Sequence, residues 1–282
     1  MVKKTGRYLR IGMMAGMALL ACTPVKNFVD PQGPLYSGEF SQPAPALKDQ
    51  IKVVSFNIKL GQKIEQATQE LQENEGLRDA DIILLQEMNA EAVEFLARRL
   101  KYNFIYYPAS IHTKHDKDYG NAIFSRWPIK DPQKIILPHE HPFRKLKRIA
   151  AVATISVGQY EILTYCVHTE MFWLNNPKRL EQAEAIIASV PPGVKYVIVG
   201  GDFNTELPRL VEETESVFDK AGFTRVSGGI GFTSQADPLG LIQFELDHIF
   251  VKGLTLVESG KLKNTRASDH LPIWAVVKFT GS

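Results

Sequence analysis

Apolar and polar positions alternate from Ile51 to Asn57, the mark of a strand with a covered face that ends in a polar residue. Helical spacing follows over about Lys63 to Glu75, then an apolar strand from Asp81 to Gln86 and a second helix from about Asn89 to Lys101. Asn103 to Tyr107 reads as a strand, followed by a polar loop to Asp118. The middle of the chain predicts strands at Asn121–Ser125, Lys134–Leu137, Arg148–Val157 and Tyr160–Val167. A helix from about Pro177 to Ser189 leads into a strongly apolar strand, Lys195 to Gly200. Strands return around Phe244–Val251 and Ile273–Phe279. Some of these strands are joined by helices and others as hairpins, which favours a mixed-sheet α/β or α+β sandwich over a fully parallel sheet. There is no short-period repeat.

The first fifty residues follow another pattern. A basic stretch, Lys3 to Arg10, precedes an apolar one, Ile11 to Ala21, of the length of a signal-peptide core. It is too short to cross roughly 30 Å of hydrocarbon as a helix. Leu19-Leu20-Ala21-Cys22 resembles a bacterial lipobox, which implies cleavage of residues 1–21 and a lipid on Cys22. Acyl chains contribute ~0.8 kcal/mol per buried CH₂, so several would anchor the protein durably. The expectation is an exported lipoprotein on the outer membrane or cell surface of a bacterium. Thr23, in place of an aspartate after the cysteine, favours the outer membrane. From Cys22 to residue 50 the chain carries Pro24, Pro31, Pro34, Pro43 and Pro45 and reads as an extended tether, leaving 51–282 as one catalytic-sized domain.

Composition alters this picture in two places. The net charge of +2 includes four basic residues of the signal segment. Without them 29 basic side chains face 31 acidic ones, so the domain is nearly neutral and shows no general affinity for polyanions. There are only two cysteines. With Cys22 lipidated, Cys166 has no partner and is expected as a buried thiol in its strand.

Candidate chemistry gathers at the ends of strands. Asn57, Glu87 and His168 each follow an apolar run, and Asp202 and Asn204 follow Tyr196 to Gly201. Asp247-His248 and Asp269-His270 adjoin further strands. Polar groups at strand ends are rigidly held and can converge on one rim.

The pieces also have a recognisable identity and order. Ser55-Phe56-Asn57, Leu85-Gln86-Glu87, Gly120 to Arg126, Gly201-Asp202-Phe203-Asn204-Thr205, Leu246-Asp247-His248-Ile249 and Ser268-Asp269-His270-Leu271-Pro272-Ile273 resemble the motif series of the endonuclease/exonuclease/phosphatase superfamily. That superfamily includes deoxyribonuclease I, abasic-site endonucleases, neutral sphingomyelinases and inositol-polyphosphate phosphatases. The resemblance runs from Ile51 to about Phe279. It implies a four-layer α/β sandwich of two packed mixed sheets flanked by helices.

It also implies roles. Glu87, Asn57 and Asp269 would bind metal, and hard oxygen ligands suit Mg²⁺ or Mn²⁺. Asp202 would orient or deprotonate the attacking water. His270 would face the scissile phosphate, with Asp247 fixing its tautomer. His168 matches a second catalytic histidine of the deoxyribonuclease and sphingomyelinase branches. Asn204, Arg148 and Asn121 would contact phosphate. The implied activity is hydrolysis of a phosphate ester, foremost a diester, by a monomer. Its substrate would be nucleic acid, a phospholipid head group or a small phosphodiester. A binding module that kept the fold and lost the chemistry is the alternative.

Two departures bear on the branch. No acid stands between Tyr119 and Ser125 to pair with His168, and Lys59 stands where abasic-site endonucleases have an aspartate. His112, His115 and Asp116 read as a solvated loop, and His139 and His141 as surface residues. Met171-Phe172-Trp173-Leu174, directly after His168, reads as a packed loop over the core, with an exposed apolar loop that holds a lipid or stacks a base as the alternative.

Overall fold

The computed structural model describes residues 25–43, 45–46, 49–112, 116–171, 174–235 and 242–280. The expected signal segment, Cys22, His115, Phe172, Trp173 and the side chain of His112 lie outside the described residues. In chain order the elements are β1 (Tyr36–Gly38), β2 (Gln50–Asn57), α1 (Ile64–Glu73), β3 (Ile82–Met88), α2 (Ala90–Leu100), β4 (Asn103–His112), β5 (Lys117–Ser125) and β6 (Ile129–Ile136). There follow β7 (Ile149–Val157), β8 (Tyr160–His168), α3 (Asn176–Ala188), β9 (Tyr196–Asp202), α4 (Pro208–Lys220) and β10 (Thr224–Arg225). The chain closes with β11 (Ser234–Gln235), β12 (Gln243–Phe244), β13 (Asp247–Lys252), β14 (Leu254–Lys261) and β15 (Ile273–Phe279).

Two mixed sheets result. One runs β1-β4-β5-β3-β2-β15-β14 and the other β10-β13-β9-β8-β7-β6. Their facing sides interlock through Val53, Ile82 and Leu84 on one sheet and Ala153, Ile198 and Ile249 on the other. Helices α1 and α2 cover the outer face of the first sheet, where Leu71, Val93 and Leu96 pack on Val54, Phe56 and Leu85. Helices α3 and α4 cover the second, where Ile186 and Phe218 join Val197, Val199 and Phe250. This is the four-layer sandwich expected.

Each sheet contains one parallel pair at its centre, β2 with β3 and β8 with β9. Their carboxyl ends therefore lie at a common rim. Asn57 stands opposite Gln86, and His168 opposite Asp202. The close approach of β8 and β9 there requires a glycine: a Cβ on Gly201 (φ +151°) would lie 1.9 Å from the carbonyl oxygen of Val167.

Several elements escape the sequence pattern, among them the short strands β10 and β11. Helix α4 was not among the expected helices, although its buried Leu210, Val211, Thr214 and Phe218 recur at helical spacing. Strand β14 is an edge strand, mostly exposed, with no buried alternation to reveal it.

The segment expected to be a free tether is docked on the domain. Strand β1 pairs antiparallel with β4, and Asn27 forms a bridge with Ser110. The Ile111 amide donates to the Lys26 carbonyl. The Lys134 ammonium donates to the carbonyls of Phe28 and Gly33. The physical reason is the unpaired edge of β4, a row of backbone donors and acceptors that the proline-rich segment satisfies. A chain beginning at Gln50 should therefore melt about 4–8 °C below one beginning at Thr23, as expected for a loss of roughly 2 kcal/mol in a domain of this size. Calorimetry on the two checks this, and equal melting temperatures would show that docking adds nothing.

Candidate active site

Strand alternation explains why the rim is polar in the right place. Ile51 and Val53 face the other sheet, and Asn57 continues their column. Cys166 leads in the same way to His168, Ile198 to Asp202, and Ile249 back to Asp247. Four inter-sheet columns of apolar side chains thus end in an amide, an imidazole and two carboxylates. Glu87 has the parity of Leu85, which faces the helices. A register shift between Leu85 and Met88 and a φ of +55° at Glu87 turn its backbone at this point. Bulges of this kind re-aim a side chain, and Glu87 lines the same cleft as the others.

Asp202 occupies the centre. Its Oδ1 accepts the Asn204 amide N–H at 2.9 Å, and its Oδ2 accepts the Asn57 side-chain amide at 3.0 Å. The same Oδ2 lies 3.4 Å from His168 Nε2 and 3.8 Å from His270 Nε2. Asn204 reaches this position in the left-handed region, φ +50°, where Asn is among the tolerated residues. Its side-chain amide donates to the Thr169 carbonyl. Burial pushes the Asp202 pKa up to about 7, against the opposing pull of the His270 charge.

His270 Nδ1 lies 2.9 Å from Asp247 Oδ2, which also accepts the Thr233 hydroxyl at 2.7 Å. The Thr233 oxygen in turn accepts the amides of Leu246 and Asp247. Thr233 has no signature in the sequence, because it follows a glycine-rich turn and acts through Asp247. Burial alone would lower the His270 pKa, yet the carboxylates of Asp247 and Asp202 raise it to about 10, so the ring is an imidazolium at neutral pH. His168 is the opposite case. Burial, Arg148 and His270 all push its pKa well below the usual value, and it stays neutral.

Glu87 is raised by burial first, with Arg148 and His270 opposing and Asp269 adding to the rise. Among the described residues no basic side chain forms an ion pair with it. Asp269 is paired with Lys59 at 2.7 Å, both half-exposed. Asn57 uses its amide between Asp202 and the Lys59 backbone N–H. A further grouping, Asp202, Asp247 and His270, has ligand atoms within 4.8 Å of one another. Glu87, Asp202 and Asp269 all line the cleft, with the carbonyl oxygens of Asn57 and Asn204 nearby at the same rim. Hard oxygen donors of this kind suit a divalent cation such as Mg²⁺ or Mn²⁺.

The other expected residues separate. Arg148 lines the cleft, with its guanidinium against Glu170 and His168. Asn121 does not reach it. Its amide donates to the carbonyls of Ile149 (2.8 Å) and Cys166 (3.1 Å), stitching β5 to the opposite sheet, because it shares the inward parity of Ile123. The expected phosphate contact is thus replaced by a structural one. His139 pairs with Glu181 at the surface as expected. His141 departs from expectation: it is buried, lines the cleft, and its Nδ1 accepts the amides of Phe143 and Arg144. Cys166 is buried, and burial pushes its thiol up to about 12.

The cleft so formed measures about 440 Å³ and includes Glu87, Tyr119, His168, Asp202, Asn204 and His270. Carboxylates, amides and imidazoles thus share one rim of a two-sheet sandwich. Residues 54–270 match the family described as endonuclease/exonuclease/phosphatase, and the chain belongs to that family, whose members are hydrolases acting on phosphoester bonds. Its fold is similar to that of a family protein from Bacteroides thetaiotaomicron, at 18% identity and a TM-score of 0.66, covering 82% of this chain and 98% of that one. It is similar to D. rerio TDP2 complexed with single-strand DNA product, at 17% identity and 0.62, covering 82% and 100%. A mannosyl-6-phosphatase from Bacteroides thetaiotaomicron is similar at 19% identity and 0.60, covering 81% and 100%. No curated protein matches the sequence.

Beside the site, His248 Nε2 lies 2.7 Å from the Thr205 hydroxyl, which itself donates to the Glu245 carbonyl. The ring must therefore be the donor, and burial followed by Arg225 lowers its pKa to about 3. Between that value and the ordinary 6.5 the unfolded chain binds a proton that the folded one refuses. Its contribution to stability is full above pH 6.5 and is lost on acidification at about 1.4 kcal/mol per pH unit. His248→Gln, which keeps a donor for Thr205, should flatten the fall in stability between pH 6.5 and 4 relative to the native chain, as read by urea titration. Parallel curves for the two would contradict this assignment.

Proposed function

We propose that this protein is a divalent-metal-dependent phosphoesterase that hydrolyses a phosphodiester, foremost in a nucleic acid, by in-line attack of water. The observation that carries the reading is the Asp202 carboxylate, held by Asn57 and Asn204 and flanked by His168 and the His270–Asp247 pair. Asp202, with its pKa near neutrality, takes a proton from the attacking water. The bond from water oxygen to phosphorus forms as the opposite ester bond breaks. The imidazolium of His270, kept charged by Asp247, opposes the negative charge growing on the phosphate oxygens. The Asn204 side chain and Arg148 orient those oxygens.

Glu87, with Asp269 and Asn57, would hold the cation, Mg²⁺ or Mn²⁺, and its chemistry there is to polarise a phosphoryl oxygen and offset charge. The Lys59–Asp269 pair must open for Asp269 to take part. Similarity to TDP2, solved with a DNA product, supports nucleic acid as the substrate. A phospholipid head group is the second reading, favoured by the lipobox-like Leu19-Leu20-Ala21-Cys22, which also supports export, a lipid on Cys22 and a membrane-held monomer.

Protein beginning at Thr23 should cleave single-stranded DNA or bis-aryl phosphate with Mg²⁺ and lose activity in EDTA. His270→Ala and Asp202→Asn should each lower kcat about 10²–10⁴-fold without loss of fold. Sphingomyelin and a sugar 6-phosphate run beside these as the competing substrates. Silence on all four by folded, metal-bound protein would defeat the enzymatic reading in favour of a binding module. For the anchor, radiolabelled palmitate should enter the full-length chain in a bacterial host and be lost in Cys22→Ser. Labelling that survives the substitution excludes Cys22 as the acceptor.

A further inference from the structure

Arg148 and Glu170 form an ion pair where a surface charge would be far cheaper. Glu170 is fully buried and Arg148 nearly so. Desolvating two such groups costs several kcal/mol each, and the mutual attraction barely returns it, so a buried pair is weak evidence for stability. Its geometry points elsewhere. Arg148 Nε and Nη2 lie 3.4 and 3.3 Å from the two oxygens of Glu170, a side-on fork. Glu170 is itself fixed: its amide donates to Gln182 Oε1, and its Oε1 accepts the Met171 amide. Gln182 is buried and anchored in turn to the Pro138 carbonyl. The carboxylate thus cannot follow the arginine, and the arginine must follow the carboxylate.

The remaining side of the guanidinium meets His168. Arg148 Nη1 lies 2.9 Å from Nε2 and 3.2 Å from Nδ1. The two nitrogens of an imidazole are separated by its Cε1, and a donor in the ring plane so nearly equidistant from both would collide with that carbon. Nη1 therefore sits across the ring face, a stacking that guanidinium groups favour and that requires a neutral ring. No carboxylate occurs between Tyr119 and Ser125 to pair with His168, whose nearest strand acid is Asp202 at 3.4 Å on its other side. Glu170, two residues beyond His168, supplies a carboxylate to the same cluster through Arg148.

We propose that Glu170 is a positioning residue for substrate binding: it locks Arg148 across the face of His168, so that the Nη1 side of the guanidinium is presented to a phosphate oxygen in the cleft. Five N–H donors radiate from a guanidinium, and the fork to Glu170 engages one on Nε and one on Nη2. The Nη1 hydrogens remain beside the cleft, which both Arg148 and His168 line. A rotating arginine would offer the same charge without the fixed direction, and fixed donors need no reorganisation when substrate arrives. This rests on the phosphoesterase reading, but its test does not require turnover.

The test is the affinity of EDTA-treated protein, beginning at Thr23, for inorganic phosphate by titration calorimetry. Glu170→Gln keeps the shape and removes the charge, and should weaken phosphate binding about tenfold. Glu170→Asp, with a carboxylate one carbon short, should fall between the two. Glu170→Gln leaves Arg148 buried without a counter-charge and can destabilise the fold, so the double variant Arg148→Met with Glu170→Met serves beside it. That variant should recover the melting temperature and still fail to bind phosphate. Wild-type affinity in Glu170→Gln, wild-type affinity in the double variant, or no phosphate binding by the native protein would each overturn the proposal. Loss of binding in both variants with ester hydrolysis absent from the native protein would uphold it while sinking the enzymatic reading. In turnover of bis-aryl phosphate, the Glu170→Gln defect should appear mainly in KM.

Discussion

A carboxylate can be sunk between two packed sheets only where donors meet it, and the rim of this molecule is organised by that requirement at Asp202. Each donor imposes a demand of its own. The Asn204 amide is in place because the chain turns through a left-handed conformation, and the Asn57 side chain because β2 ends at the level of Gln86. Gly201 lets β9 run close enough to β8 to set His168 directly across from Asp202. The cost of leaving such a charge unreceived, several kcal/mol, exceeds that of any single strained torsion nearby. The unusual backbone angle at Asn204 is tolerable for that reason. Stability and chemistry are here one constraint.

The same economy governs the charges. Burial raises Asp202 to about 7, and the carboxylates of Asp247 and Asp202 keep His270 a cation, so the acids of the cleft are partly offset from within. His168, stacked under an arginine and buried, contributes no charge. Two imidazoles within reach of one carboxylate thus carry different charges, decided by what else each touches.

Much of this was legible before any coordinates. Strands whose buried faces are largely apolar, as in Ile51 to Asn57 and Tyr196 to Asp202, announce both their type and their polar ends. Edge elements did not, because β14 and β1 bury too little to impose a pattern. Asn121 was misread for a related reason. A motif names neighbours along the chain, whereas the pleat decides the face, and Asn121 shares the inward face with Ile123. Thr233, His141 and Glu170 act by holding other groups, and such work leaves no spacing rule in a sequence. Glu87 was legible only through the Leu85-Gln86-Glu87 motif, because the bulge that turns its backbone is invisible to alternation.

The docked N-terminal strand changes the scale of any attachment at Cys22. A loose leash from there to Gln50 would let the domain roam through a shell roughly 95 Å deep at full extension. With Lys26 bonded to β4, an attachment at Cys22 would lie at most about 14 Å of chain from the sheet. That distance is comparable to the thickness of a lipid head-group layer with its first hydration water. Were Cys22 lipidated as proposed above, a protein held so short would not tumble freely above the bilayer, and the side of β4 that receives Lys26 would face the surface. The substrates it meets would then be those that lie on, or are pressed against, that surface.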